Sequence, residues 1–291
     1  MAMRTERLSG VVRLRAIGAT VRVEVTGSAA AAALAEVERV WHLCTVPGTA
    51  PEGYAAPGVH GPPAEATVVL VHDADGPAEV VASPGRVEGS VLPDAMQALT
   101  QAVTRAAIDA QQGRVVMLHA AGLQSRTTGD TVALVGPGGT GKTTLVRTLG
   151  PGRAYVTDET VAVRFDRTVL PYPKPLSVRR QPGSLWKDET DPTSMGLAGP
   201  GGGGRLVAIG LLERSDDHDG PPVVEAVGTL DAIAALTPET SHLPELERPL
   251  QRMAALCDAV EVVRVAYREA ADLAPLVDGW IGAPVPAGAR G

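Results

Sequence analysis

The residues best suited to chemistry lie in one stretch, "TVALVGPGGTGKTTLVRTLG", residues 131–150. Gly136, Gly138, Gly139, Thr140, Gly141, Lys142 and Thr143 carry a match to G-x-x-x-x-G-K-[ST], with Thr144 next as a further nucleotide-binding candidate, an apolar strand before it and a helical pattern after it. Glycines let the backbone curl so that successive N–H groups point at phosphate oxygens, and the helix start adds partial positive charge. Lys142 is expected to bridge the β- and γ-phosphates, and Thr143 to offer its hydroxyl to Mg²⁺. The loop therefore predicts a site for ATP with Mg²⁺.

A second group follows early. In "AYVTDE" Asp158 stands 16 positions after Lys142 (158 − 142), room for a short helix, a turn and one strand. Asp158 and Glu159 are expected at the end of that strand, back at the phosphates. Two adjacent carboxylates there divide the labour, one on the metal and one accepting a proton from an attacking hydroxyl. On spacing alone a solvated acidic turn is the alternative. His119, near the end of an apolar strand, reads as a structural residue as readily as a functional one. Lys174, stiffened between Pro173 and Pro175, suits a phosphate contact. Arg179 and Arg180 suit a clamp on phosphate or an acidic acceptor, or a solvated surface.

The elements that position these residues show in the periodicity. "RVVMLHAAGL" and "DTVALVGP" read as apolar strands, "GKTTLVRTL" as a short helix, and "AYVTD" and "TVAVRF" as strands. "TVLPYPKPLSVRRQPGSLW" reads as extended chain broken by prolines, and "AGPGGGG" as a mobile loop. Residues 229–258 are expected to form one helix, followed by the strand "EVVRVAY" and a last helix. Upstream, "VVRLRAIGATVRVEV" reads as a strand or hairpin and "SAAAAALAEVERVWHLC" as a helix capped by Ser28. Residues 46–65 read as a Pro- and Gly-rich linker, and "LPDAMQALTQAVTRAAIDAQQG" as a helix with an apolar stripe.

Composition narrows the class. Among 291 residues, 44% are hydrophobic and 20% charged, as in a globular protein. The net charge of −7 argues against nucleic-acid binding, since no excess of cations replaces condensed counterions. Two cysteines, Cys44 and Cys257, do not make a disulfide framework, and no uninterrupted apolar run is long enough for a membrane span. The expectation is a cytoplasmic protein with no membrane partner.

The succession "LHAAGL", "VALVGPGGTGKTTL", "VTDETVAV" and "LPYPKPLSVR" resembles the HPr kinase/phosphorylase-related family, whose core is similar to phosphoenolpyruvate carboxykinase. The resemblance covers roughly residues 114–182. It implies that His119 belongs to the site, that Asp158 is the base for a Ser or Thr hydroxyl, and that Thr143 contacts the metal. Glu159 stands where the family has a second Asp, which leaves the metal's second ligand open. The first hundred residues do not resemble the N-terminal domain of HPr kinases, so HPr itself is a poor acceptor. Kinases of this type also act on a Ser of ribosomally made precursor peptides.

Together these readings predict an α/β fold: a mixed sheet with the loop in residues 113–291, and a smaller α/β domain in residues 1–112. They predict a Mg²⁺-ATP-dependent kinase with a peptide or protein Ser as acceptor, in a chain that is a candidate homo-oligomer. A small hydroxylated metabolite as acceptor, or an ATPase switch with water as acceptor, are the competing readings.

Overall fold

The computed structural model describes residues 8–46, 64–181, 184 and 186–284. The linker read at 46–65 lies almost wholly outside them. The chain divides into two compact units, Met1–Gln111 with Lys174–Asp191, and Gln112–Pro173 with Pro192–Gly291. An unbroken second domain from 113 to 291 is therefore not what the backbone shows, because 18 residues (174 through 191) leave it for the first unit.

In chain order the first unit opens with β1 (Leu8–Ala16), β2 (Ala19–Thr26), α1 (Ala30–Val40), β3 (Glu65–Val71), β4 (Val81–Ser83), β5 (Arg86–Glu88) and α2 (Leu92–Ala110). Its five-stranded sheet has the order β1-β2-β3-β5-β4, antiparallel at both edges and parallel between β2, β3 and β5. Alternation builds this sheet: along β2, Ala19, Val21, Val23 and Val25 are buried while Thr20, Arg22 and Glu24 are half-buried. The expected Ser28 cap is not made. Ser28 instead exchanges hydrogen bonds with residues 73 and 74, its N–H donating to the Asp73 side-chain Oδ1 at 2.7 Å and its Oγ accepting from the Ala74 backbone N–H at 3.0 Å.

The second unit begins with β6 (Val116–Gln124), β7 (Asp130–Val135), α3 (Lys142–Leu149), β8 (Ala154–Thr157), β9 (Thr160–Val163) and β10 (Thr168–Leu170). The chain then contributes the hairpin β11 (Leu176–Arg179) and β12 (Lys187–Thr190) to the first unit. It returns with β13 (Gly204–Arg214), β14 (Val223–Ala226), α4 (Thr229–Leu236), β15 (Thr240–Ser241), α5 (Pro249–Ala259), β16 (Glu261–Tyr267) and α6 (Ala274–Ile281). The sheet runs β10-β9-β6-β7-β13-β16-β14, with β8 and β15 also on β6, and β10 pairs with β13 as well as with β9. Strands β7, β13 and β16 are parallel and the rest of the sheet is antiparallel, so this is a mixed α/β unit. One face is closed by a core of Leu118, Ala120, Val135, Val161 and Ile209 against Leu236, Met253 and Leu256 of the helices α4 and α5. No described helix is long and apolar enough to cross a membrane.

The single helix expected over 229–258 is broken in two. Pro238, Pro244 and Pro249 interrupt it, and His242 (φ 51°) and Arg248 (φ 59°) take left-handed backbone there. Between α4 and α5 the chain forms two short 3₁₀ turns and β15.

Candidate functional site

The site grows from strand β6. Eight of its nine residues are buried, and His119 alone is open to solvent, with 40% of its side chain exposed. On one side β9 pairs with it, setting Thr160 beside His119, and Ala120 N donates to Glu159 O at 3.1 Å. On the other side β7 pairs only as far back as Ala120 opposite Val135, then leaves as the loop starting at Gly136. The vacated length of β6 is taken by β15, with Thr240 opposite Leu118. One step further along that antiparallel register, Glu239 meets His119: its Oε2 lies 3.2 Å from Nδ1.

Loop residues 136–143 curl tightly. Gly139 (φ 88°) and Gly141 (φ 90°) take left-handed backbone, and Gly141 caps α3. A Cβ built on Gly138, Gly139 or Gly141 would meet nothing within 4 Å, so the loop borders open space. The first amides of α3 have no partner within the helix and add the positive end of its dipole. Lys142, only 7% exposed, folds back so that its Nζ donates to the carbonyl oxygens of Gly136 and Pro137. Burial pushes this ammonium below the ordinary lysine pKa, and Glu239, Asp158 and Glu159, in that order, pull it back up.

Asp158, 5% exposed, closes the site from below. Its Oδ2 accepts the Thr143 hydroxyl at 2.7 Å, and its Oδ1 accepts the Tyr155 hydroxyl at 3.1 Å. The turn carrying the acid pair is held by Thr157, whose Oγ1 accepts from Glu159 N at 3.1 Å and Thr160 N at 3.3 Å. Glu239, Asp158 and Glu159 thus all act on the one lysine of the loop.

The fold brings His119, the loop, Lys142, Thr143, Asp158 and Glu159 into one unit and adds Glu239 and Tyr155. Lys174, Arg179 and Arg180 belong to the other unit and are engaged there. Lys174 is 1% exposed and donates to Pro175 O at 3.2 Å, leaving no open face for a phosphate. Arg179 donates to Ser184 O at 2.5 Å, and Arg180 forms ion pairs with Asp94 and Asp188 at 2.7 Å each. Glu239 has no sequence signal, lying 120 positions from His119 in a stretch that reads as helix interior. Tyr155 had one: it sits three residues before the first carboxylate on a strand ending at it.

The donors fit Mg²⁺ bound with a triphosphate. Thr143 and Asp158 offer two hard oxygens beside open space. Among the described residues no three His, Cys, Asp or Glu side chains gather into a metal cage. An ion that shares one or two protein oxygens with phosphate and water needs no such cage.

The fold and site define a mixed α/β unit with a glycine-rich loop over a carboxylate-lined floor. No family model and no curated protein matches the chain. Among solved structures, the HPr(Ser) kinase/phosphatase from Coxiella burnetii is similar over 57% of this chain and 93% of that one, at 11% identity and a TM-score of 0.28. A likeness at that score carries no weight for activity.

Proposed function

We propose that the protein is a Mg²⁺-ATP-dependent phosphotransferase acting on a hydroxyl, with a Ser of a peptide or protein as acceptor. The observation that carries this reading is the Thr143–Asp158 hydrogen bond at the loop, at 2.7 Å, beside a buried Lys142. A carboxylate holding the hydroxyl that follows the loop lysine is the arrangement expected of a metal-side pair. Bound Mg²⁺ would neutralise phosphate charge, and with Asp158, Glu159 and Glu239 acting on Lys142 the magnesium nucleotide would meet less repulsion than the free one.

Within that reading the residues take these roles. Loop amides and Lys142 hold the β- and γ-phosphates and stabilise charge developing on them. Thr143 would be a ligand of the Mg²⁺, oriented by Asp158. Asp158 accepts one hydrogen bond on each oxygen, from the Thr143 and Tyr155 hydroxyls, which commits it to holding Thr143 rather than to taking the proton. His119 is better suited: with Nδ1–H donated to Glu239, the lone pair sits on Nε2. The acceptor oxygen attacks the γ-phosphorus and its proton passes to Nε2. The bond between that phosphorus and the bridging oxygen breaks, leaving phosphoserine and ADP. This gives the proton to His119, where the sequence reading gave it to Asp158, and leaves Glu159 as a further carboxylate on the metal side.

The test is transfer of label from γ-labelled ATP with Mg²⁺ to a pool of Ser-containing peptides, with Lys142→Met as control. Label in a peptide, absent with the control, supports the reading. Label released only as free phosphate, at one rate with or without peptide, overturns it and leaves an ATPase.

A further inference from the structure

A cavity of about 130 Å³ in the second unit lies apart from the residues given roles above. It is lined by Arg164, Phe165 and Arg252, with Val116, Leu256 and Ala259 as its apolar wall. The β9–β10 turn and α5 build it. Arg167, at a left-handed φ of 71°, donates from Nη1 to Ala259 O at 2.6 Å and pins the turn to the end of α5. That bond occupies Arg167 and answers the carbonyl charge at the helix C-terminus.

The other two cations are differently placed. Arg252 lies over the ring of Phe165, 4.0 Å from its centroid. Phe165 is the chain's one phenylalanine and is 45% exposed, with that guanidinium over its face. Stacking fixes the guanidinium plane and leaves its N–H edge for a ligand. Among the described residues neither Arg164 nor Arg252 makes a side-chain hydrogen bond or an ion pair. The one acid among the lining residues, Asp166, accepts from Thr168 N at 2.9 Å. That hydrogen bond and then the charge of Arg164 hold its pKa below the ordinary carboxylate value, so Asp166 offsets part of the Arg164 charge. The result is a cationic cleft with a greasy wall in a chain of net charge −7.

We propose that this cleft binds an acidic peptide segment, one carboxylate side chain held between Arg164 and Arg252 and a neighbouring aliphatic residue laid on Phe165. The size argues for this class. The cavity is well below the roughly 300–1,000 Å³ of small-molecule and cofactor sites, and it suits one side chain. Two guanidinium groups match carboxylate geometry, and the apolar wall favours an anion carried on a carbon chain over a fully hydrated one.

The experiment uses the full chain without nucleotide, so its outcome is independent of the phosphotransfer reading. A fluorescein-labelled peptide of alternating Glu and Leu is titrated by anisotropy against its Gln-for-Glu counterpart. The Glu peptide is expected to bind at least tenfold tighter, with affinity falling as salt rises. The Arg164→Gln, Arg252→Gln double variant is expected to lose that preference with its urea midpoint unchanged. Equal binding of the two peptides to the wild-type protein overturns the proposal, whatever the variant does. So does saturation of the site by inorganic phosphate with no binding of the Glu peptide.

Discussion

Lys142 is the residue on which most depends, and its burial sets a pH signature. Desolvation lowers its pKa from 10.5, while a bound triphosphate favours the charged form. Above the lowered value, binding must take up a proton, so nucleotide affinity falls as pH rises toward the value in the complex. Titration calorimetry in buffers of different ionisation enthalpy reads that uptake, and pH-independent affinity through the alkaline range would refute it. Lys142→Met removes charge-assisted hydrogen bonds worth about 1.5–3 kcal/mol, so nucleotide binding should weaken roughly 10- to 150-fold. His119→Gln should lower kcat by about 10²–10⁴ and leave nucleotide affinity intact, as loss of a proton acceptor does. Glu239→Gln should lower kcat less, and Asp158→Asn should raise the Mg²⁺ concentration needed. If Asp158→Asn abolishes turnover at unchanged Mg²⁺ dependence while His119→Gln is harmless, the roles are reversed.

Elements decide what could be read from the sequence. The loop, α3 and the strand to Asp158 were legible because their signals are local: glycines, a lysine, and apolar runs within thirty residues. Glu239 was not, because its place depends on β15 filling the length of β6 that β7 vacates. The prolines that break 229–258 were visible, yet the apolar spacing through them still reads as helix. By composition the glycine run reads as a mobile loop, but its last member is a packing residue. A Cβ on Gly204 would come within 1.8 Å of Gln124 Nε2 and 2.3 Å of Gly129 O. Gly204→Ala should therefore destabilise the protein by about 1–3 kcal/mol, read as a lower urea midpoint at unchanged m-value. An unchanged midpoint would mean the start of β13 yields freely.

At the scale of the whole molecule, each unit holds one cysteine, Cys44 in the first and Cys257 in the second. Both are buried, and burial raises both thiols, that of Cys257 to about 11. Neither should react with a maleimide at neutral pH until its unit opens. Labelling followed by mass spectrometry in rising urea then reports the two units separately, and simultaneous labelling would show that they open as one.

The hairpin of β11 and β12 has a consequence for synthesis. Chains emerge from the ribosome N-terminus first, and domains usually close as they emerge. Here the first unit is incomplete until Asp191 has emerged, by which time the loop, α3 and the acid pair of the second are already out. The earlier unit must wait, half-closed, for a piece delivered from within the later one.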